Sequence, residues 1–279
     1  MDNAGKILPI EELQVPAILY KYRCFGNEYH ERTLFERKVY ILSAKEFNDP
    51  YDSKIPFRYR NEDLTEANIY EKCLALVKTF NPGLVDKEYQ KKAYEMHRNN
   101  LLKDPHHLQD FDNQTFERLC KDYGIYCVTS DPENLLMWSY YADSHKGFCI
   151  GYNSHCLTKC GLFGMGGQVL YRNEFPKLPL FLKNDDHPML DILFTKWSKW
   201  EHENEYRLIH RYRKGKIFKL PDEAICEVVL GCQMSDKFKF VQMEKIRKAL
   251  PHVKIYQIEQ AKDTFGLKKV AVFDEKLFI

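Results

Sequence analysis

The stretch GIYCVTSDPENLLMWSYYADSHKGFCIGY, residues 124–152, decides the fold class because it holds two strand patterns on either side of a short helix pattern. Gly124–Ser130 and Gly147–Tyr152 are rich in β-branched and aromatic residues over the usual length of a strand. Asn134–Ala142, between them, is predicted to form a short helix. Strands joined by such short connections favour antiparallel pairing over a wound parallel sheet. The stretch therefore predicts an α+β fold with a central, largely antiparallel sheet.

Toward the N-terminus, the sequence predicts two further strands and then a block of helices. Ala17–Arg23 and Lys38–Ser43 are runs of β-branched and aromatic residues. Helical periodicity follows over about residues 60–123, with a break at the turn-forming sequence Asn-Pro-Gly at 81–83. We predict that this block is a helical insertion after the first two strands, which could form a small cap.

Toward the C-terminus, strand and helix patterns alternate until the end of the chain. The predicted strands are Gly167–Tyr171, Tyr206–Tyr212, Ile217–Leu220, Ile225–Leu230, Val253–Gln257 and Lys269–Phe273. The predicted helices are Asp191–Trp200 and a segment that Ser235 caps and that runs to Leu250. No repeat or linker divides the sequence, so we predict one α+β domain over residues 1–279.

The composition is that of an ordinary globular protein. Of 279 residues, 44% are hydrophobic and 29% are charged, and the net charge of +2 argues against strong attraction to nucleic acid or membranes. Residues 1–16 lack the basic start and apolar run of a signal peptide, and no stretch approaches the ~20 apolar residues of a membrane span. The nine cysteines are scattered, as free thiols in a reducing compartment would be. We therefore expect a cytoplasmic protein without membrane association.

Common catalytic motifs are absent from the sequence. There is no P-loop, no G-x-G-x-x-G after a strand, no G-x-S-x-G elbow and no H-E-x-x-H zinc motif. His155, Cys156 and Cys160 have no evident second ligand pair, so we predict no metal site there. Four other segments are candidates for the chemistry.

The first candidate is Tyr20–Arg23, in which aromatic and cationic side chains alternate. In a strand, Lys21 and Arg23 share one face, and Tyr22 lies on the other. Cations on a buried strand are costly unless they meet an anion, so these residues could line a ligand cleft. An edge strand with solvated cations is the alternative.

The second candidate is a pair of strand ends that carry hydroxyl, amide or acid groups. Ser43, Asn48 and Asp49 follow one strand, and Thr129 and Ser130 end another. Ligand sites commonly use such groups. Turn and capping chemistry explains each segment equally well.

The third candidate is the short helix 134–142 with the turn that follows it. Trp138 and Tyr141 are three residues apart and share a helical face, and His145 and Lys146 come in the turn. An aromatic helix packed in the core is one interpretation. A pocket for phosphate or sugar hydroxyls, with the His-Lys turn above it, is the other.

The fourth candidate is an acidic pair where a helix passes into a strand. Glu203, Glu205 and Arg207 share one face in extended conformation. One carboxylate of such a pair could hold a ribose hydroxyl while the other orients a nucleophile. A solvated acidic turn, with Glu205 paired to Arg207, is the alternative.

Together these segments resemble a known family. LYKYR, LSAKEFNDP, MWSYYADSHKGFCI and WEHENEYR, in this order, are similar to the bacterial domain-of-unknown-function family numbered 2971. The resemblance spans roughly residues 19–231, and members of that family often lie in mobile or defence-related gene neighbourhoods. The family label assigns no chemistry, so it implies kinship without a function.

The order of the segments is also similar, more distantly, to the ADP-ribosyltransferase superfamily. Its members carry Arg or His on the first strand, a hydroxyl or aromatic residue on a middle strand, and a catalytic Glu, often in E-x-E, on a later strand. The resemblance gives the first role to Lys21 or Arg23. The dipeptide Thr129–Ser130 would take the second role, and Glu203 or Glu205 the third. It also implies NAD as the substrate and a sheet that could be split.

In that chemistry the nicotinamide–ribose bond breaks with oxocarbenium character, which a nearby carboxylate stabilises. A cation on the first strand would hold the pyrophosphate or the adenosine ribose, and Tyr or Trp rings would sandwich nicotinamide. The chain differs from the pattern in two respects. V-T-S stands in place of S-T-S, and a long segment separates Ser130 from Glu203.

Three functions therefore stay open. The first is an NAD-consuming ADP-ribosyltransferase or NAD glycohydrolase, of the kind that serves as a toxin or phage-defence effector, with a protein or nucleic-acid acceptor and a partner or inhibitor protein. The second is a metal-dependent nuclease or nucleic-acid binder, in which Asp49, Glu203 and Glu205 bind a divalent metal and the basic stretch 210–220 follows the phosphates. The third is a non-catalytic sensor or interaction module whose aromatic clusters are core.

Overall fold

The computed structural model describes residues 7–56, 58–100, 102–181, 188–211 and 215–272. Its strands are β1 (Leu8–Pro9), β2 (Ile18–Arg23), β3 (Lys38–Tyr40), β4 (Arg58–Tyr59), β5 (Tyr123–Thr129), β6 (Phe148–Asn153), β7 (Met165–Gln168), β8 (Leu170–Arg172), β9 (Lys177–Leu178), β10 (Thr195–Trp197), β11 (Glu205–Arg211), β12 (Ile217–Lys219), β13 (Ile225–Leu230), β14 (Lys254–Gln260) and β15 (Leu267–Ala271). Its helices are α1 (Glu28–Phe35), α2 (Glu66–Phe80), α3 (Asp86–Arg98), α4 (Pro105–Asp122), α5 (Leu135–Tyr141), α6 (Ser154–Lys159), α7 (Pro188–Leu193) and α8 (Asp236–Ala249).

Nine of these strands form one sheet, in the order β1-β7-β11-β5-β2-β6-β13-β14-β15. Neighbouring strands run antiparallel, except that β13 and β14 are parallel. The prediction of a mixed fold with a large, mostly antiparallel sheet is therefore confirmed. The remaining strands pair two by two, β3 with β12, β4 with β9 and β8 with β10.

The pairing between β2 and β5, in the middle of the large sheet, is short. β2 pairs with β6 along its whole length, Ile18–Arg23. Among the described residues, its pairing with β5 is limited to Tyr20 opposite Thr129. Beyond these two residues the ammonium of Lys21 donates a hydrogen bond to the Cys127 carbonyl across the gap. A cleft therefore opens where two central strands of the sheet separate.

Helices cover both faces of this sheet. Met243 and Ile246 of α8 lie in the same buried cluster as Ile150 of β6, whereas Trp138 of α5 lies in a different cluster with Cys149. Successive residues of a strand point to opposite faces, so α8 and α5 cover opposite sides of β6. No helix in the described part of the chain is long and apolar enough to span a lipid bilayer.

The helical pattern at about residues 60–123 forms α2, α3 and α4. The side chains of Thr65 and Asp104 accept hydrogen bonds from backbone amides in the first turns of α2 and α4. α2 ends where the sequence predicts a break. Ile69 of α2 and Ala93 of α3 lie together in a separate small core. The helices are as predicted, and their role as an insertion or a cap stays a prediction.

The predicted helix Asp191–Trp200 is wrong. Helix α7 ends at Leu193, and Thr195–Trp197 form a strand that pairs in parallel with Leu170–Arg172. A 3-10 turn over Ser198–Glu203 then leads into β11. Pairing with β8 overrides the local helical pattern, because intrinsic helix propensity is weak against tertiary contacts.

Other predicted strands need correction as well. Gly167–Tyr171 is divided between β7 in the large sheet and β8 outside it. Lys38–Ser43 shortens to β3, which pairs with β12, and Leu42 beyond it forms an isolated bridge with Ile125 of the large sheet. The sequence pattern does not predict α1, which Asn27 caps. The predicted strands Tyr206–Tyr212 and Lys269–Phe273 end on residues outside the described ones.

Candidate functional site

A cavity of about 320 Å³ lies at the gap between β2 and β5. Strands β2 and β5 and the residues around the start of β11 supply most of its polar wall. Residues from the segment 42–52, from α5 and from β10 complete it. The cavity is thus built where the central strands separate, and helix α5 is one of its sides.

The cavity brings together many of the site residues predicted from the sequence. They are Lys21, Tyr22 and Arg23 of β2, Asn48 after β3, Thr129 of β5, Tyr141 of α5, and Glu203 and Glu205 around the start of β11. Cations, a hydroxyl and an acid pair therefore meet in one place, although they come from distant parts of the chain.

Trp138 does not line this cavity, because its side chain is fully buried in the core. Its indole Nε1 donates to the Pro132 carbonyl at 2.8 Å. Its ring meets Tyr22 edge-on, with the ring centroids 5.2 Å apart. The core-packing interpretation fits this residue, and the predicted ligand contact does not.

Ser43, Asp49 and Ser130 also lie outside the cavity wall. The Ser43 amide donates to the Glu46 carboxylate at 2.7 Å, within a capped 3-10 turn. Asp49 accepts from the Tyr51 amide at 2.9 Å and lines a neighbouring cavity. The turn-forming interpretation suits Asp49, whose carboxylate accepts from a local backbone amide. The Ser43 hydroxyl donates instead to the distant Cys120 carbonyl at 3.5 Å.

His145 and Lys146 lie in the turn between α5 and β6, away from the cavity. His145 is 3.0 Å from the Ser139 hydroxyl and lines a different pocket, and Lys146 is exposed. A Cβ at Gly147 would lie 2.2 Å from the Arg23 carbonyl, so no larger residue fits there. The predicted contact of His145 and Lys146 with the ligand is not supported, and the turn instead packs against the end of β2.

A buried network of charged side chains borders the cavity. Lys196 donates to Glu203 and, at 3.0 Å, to Glu205. It also lies 3.5 Å from Asp52. Arg207 donates to Glu205 at 2.8 Å and to both oxygens of Asp52 at 2.8 Å. These five side chains are at most 6% exposed, and three carboxylates with two cations leave one formal negative charge in excess.

Lys196 and Asp52 are members of the site that the sequence analysis missed. Lys196 falls in the wrongly predicted helix, where its burial could not be recognised. A signal was nevertheless present, since a lysine inside an apolar strand such as FTKW requires an acidic partner. Asp52 has no comparable signal. It lies beside a turn, where polar side chains commonly hydrogen-bond to the backbone.

The two glutamates have opposite protonation tendencies. Burial raises the pKa of Glu203, and Lys196 offsets this only in part. Burial also opposes the ionisation of Glu205, but the Arg207 guanidinium and the Lys196 ammonium hold the pKa of that carboxyl well below its usual range. Tyr141 donates to Glu203 at 2.8 Å. Glu205 is therefore fixed as a carboxylate, and Glu203 is better suited to exchange a proton.

Lys21 and Arg23 supply positive charge to the same cavity. Burial, followed by the nearby Arg23 charge, lowers the pKa of Lys21 from 10.5 to about 7. The Lys21 ammonium lies 4.6 Å from the Tyr126 ring centroid. Arg23 donates to the Tyr22 carbonyl at 3.3 Å, and its buried Nε has no partner among the described residues. This side of the cavity can therefore accept an anion.

Residues 137–208 match the family model described as "Protein of unknown function (DUF2971)". The matched segment is shorter than half of the chain and runs from α5 into β11. It contains Tyr141, Lys196, Glu203, Glu205 and Arg207 but not strand β2. No curated protein and no solved structure matches the chain significantly. The function must therefore be argued from the cavity itself.

Proposed function

We propose that this chain is an NAD-consuming enzyme that breaks the nicotinamide–ribose bond, as an ADP-ribosyltransferase or as an NAD glycohydrolase. The observation that carries the proposal is that three groups line one cavity. They are the cations Lys21 and Arg23, the hydroxyl of Thr129, and the acid pair Glu203 and Glu205. The resemblance to ADP-ribosyltransferases requires these groups to meet. The short pairing of β2 with β5 supports the split sheet that the same resemblance implies.

The reaction needs an anion site beside a carboxylate, and the cavity offers both. In NAD the bond between ribose C1′ and the nicotinamide nitrogen breaks, and its electron pair leaves with nicotinamide. C1′ then carries oxocarbenium charge until a water or an acceptor group adds to it and loses a proton. Lys21 and Arg23 would hold the pyrophosphate. A carboxylate beside C1′ stabilises the developing positive charge.

The protonation tendencies of the two glutamates suggest separate roles. Glu205, which Arg207 and Lys196 keep ionised, would stabilise the charge at C1′. Glu203, whose pKa burial raises, would take the proton from the incoming nucleophile. The Tyr141 hydroxyl, 2.8 Å from Glu203, would orient that carboxyl.

Apolar side chains on the cavity wall suit the nicotinamide ring. Leu42, Phe47, Met137 and Tyr141 all line the cavity. Its volume of about 320 Å³ is near the lower end of ligand pockets, ~300–1,000 Å³. We therefore place the nicotinamide riboside half of NAD inside it and the adenosine half at its mouth. Phe47 and Tyr141 would supply the rings that sandwich nicotinamide, because Trp138 is buried in the core.

The direct test is incubation of the protein with NAD, followed by chromatography for free nicotinamide and ADP-ribose. A second incubation adds cell lysate, and mass spectrometry searches protein and nucleic acid for attached ADP-ribose. Release with water as the acceptor would identify a glycohydrolase, and attached ADP-ribose would identify a transferase. The proposal fails if nicotinamide is not released in either incubation.

The alternative of a metal-dependent nuclease has less support from the geometry. Asp49, one of its three metal ligands, lines the neighbouring cavity and not the one that holds Glu203 and Glu205. Those glutamates already bind Lys196 and Arg207. The basic stretch 210–220 includes residues 212–214, which lie outside the described ones. A role as a cytoplasmic toxin or defence effector, with an inhibitor protein, remains part of the NAD proposal.

At low NAD concentration, turnover is expected to fall as the pH rises above about 7. The pKa of Lys21 is about 7, so its ammonium is present below that pH and lost above it. A neutral amine no longer attracts the pyrophosphate. Each further pH unit lowers the protonated fraction of Lys21 about ten-fold. The measurement is kcat/KM for NAD between pH 6 and 9.

A matched pair of variants tests the assignment to Lys21. Lys21→Arg keeps its charge at every pH of the series, so its profile should be nearly flat above pH 7. Lys146→Arg changes an exposed lysine outside the cavity and should keep the wild-type slope. A Lys21→Arg enzyme with an unchanged slope would assign the titration to another group.

A further inference from the structure

A second cavity, of about 510 Å³, lies beside the first. The two cavities share Asn48, Asp52 and Lys196, which therefore form the wall between them. Lys21 and Arg23 line only the first cavity. We propose that the second cavity binds a single nucleobase, carried by a nucleotide or by an unpaired residue of a nucleic acid.

Exposed aromatic rings form one side of this cavity. The side chains of Tyr51, Phe175 and Trp197 are 57%, 45% and 52% exposed. The centroids of Tyr51 and Phe175 are 5.9 Å apart, with their planes tilted by 40°. Three large rings that face water around one cavity form the kind of apolar patch that marks a binding site. Flat aromatic ligands stack on such rings.

Polar groups at the same cavity match a base and its phosphate. Strands β8 and β10 run parallel with Arg172 opposite Trp197, and both residues line the cavity. Asn173 follows, and its Oδ1 accepts from Ser198, which leaves the amide nitrogen to donate to a base edge. Arg pairs with phosphate and also stacks on rings.

The ring of Trp200 connects the two cavities. Trp200 lines the second cavity, and the Lys196 ammonium lies 5.2 Å from its ring centroid. The same ammonium binds Glu203 and Glu205 on the side of the first cavity. A base in the second cavity is therefore one lysine side chain away from the acid pair.

Because Asn48, Asp52 and Lys196 stand between the two cavities, a base bound here would anchor a nucleic-acid acceptor beside the NAD site rather than react itself, an interpretation that rests on the proposed function. Binding of the base does not depend on this role and can be measured without NAD.

Tryptophan fluorescence gives a direct measurement of binding. Of the three tryptophans, Trp197 and Trp200 line the second cavity and Trp138 is buried in the core. The titrants are the four nucleoside monophosphates, a single-stranded RNA octamer of mixed sequence and the matching duplex. We expect quenching by monophosphates, by the single strand or by both, and much weaker quenching by the duplex, whose bases are already stacked.

A pair of phenylalanine variants locates the ligand. Phe175→Ala is expected to weaken binding about ten-fold, the loss typical of one aromatic stacking partner. Phe80→Ala removes a ring that is 75% exposed on α2, outside the cavity, and should bind as the wild type does. Tyr51→Ala is a second cavity variant, and circular dichroism checks that each variant is folded.

The outcomes separate this inference from the proposed function. Absence of quenching, equal losses in Phe175→Ala and Phe80→Ala, or equal binding of duplex and single strand would each overturn the nucleobase site. Nicotinamide release without base binding would leave the NAD proposal standing and remove this one. Base binding without nicotinamide release would keep the site and remove the NAD proposal.

Discussion

Replacement of Glu203 by glutamine is expected to slow nicotinamide release by about a hundred-fold or more, because a general base typically contributes 10²–10⁴-fold. Glutamine keeps the size of the side chain and its hydrogen-bonding oxygen but cannot take a proton. The carboxyl of Glu203 lines the cavity and accepts from Tyr141 at 2.8 Å. The measurement is kcat at saturating NAD, with the free energy of unfolding determined in parallel.

The stability of Glu203→Gln should stay close to that of the wild type. Lys196 retains Glu205 at 3.0 Å and Asp52 at 3.5 Å, so it is not left unpaired. The substitution also removes the one negative charge that the buried network has in excess of its cations. A loss of activity with unchanged stability would therefore point to chemistry, since a merely structural role would lower both.

Glu201→Gln is the matched control. Glu201 lies in the same 3-10 turn as Glu203, but it is exposed and does not line the cavity. Its replacement should leave nicotinamide release within about two-fold of the wild type, as expected for a surface substitution away from the site. Similar losses in both variants would show that charge near the turn matters in general, and the role given to Glu203 would be withdrawn.

The sequence predicts those parts of the site that depend on the pattern of a short segment of the chain. β-branched and aromatic runs predict β2, β5 and β6 because side-chain alternation and strand length are properties of a short segment. Lys21 is recognised because a cation on a buried strand requires a partner, and Glu205 because it forms an acid pair with Glu203 at the start of a strand. The three-residue spacing of Trp138 and Tyr141 places them next to each other on α5. It does not predict that Trp138 is buried in the core.

The parts that the sequence does not predict depend on distant contacts. Asp52 and Arg207 bind each other although 155 positions of the chain separate them, and no local pattern predicts such a pair. Lys196 is buried only because β10 pairs with β8, a contact that overrides the helical pattern of its own segment. The second cavity has the same origin, since Tyr51 and Phe175 meet through tertiary structure alone.

Arg207→Met is expected to lower the free energy of unfolding by about 3–5 kcal/mol, because removal of one partner leaves buried charge uncompensated. The Arg207 guanidinium is fully buried and binds Asp52, Glu205 and, at 3.2 Å, the Ser53 hydroxyl. Methionine fills similar space without a charge. The two carboxylates would then depend on Lys196 alone. Urea denaturation at pH 7 measures the change.

Arg118→Met makes the same chemical change at an exposed position of α4. Its free energy of unfolding should change by less than about 0.5 kcal/mol. Comparable losses in the two variants would mean that the exchange of arginine for methionine is itself destabilising, whatever its surroundings. The difference between them isolates the contribution of the buried network.

A double variant separates charge from packing at Arg207. In the wild type, Asp52→Asn should destabilise, because it removes one of the carboxylates that neutralise the buried guanidinium. In the Arg207→Met background, the same change should recover part of the lost stability, because one fewer unpaired carboxylate remains buried. Destabilisation in both backgrounds would show that Arg207 acts through packing. The charge network would then not be what holds Glu205 ionised beside the cavity.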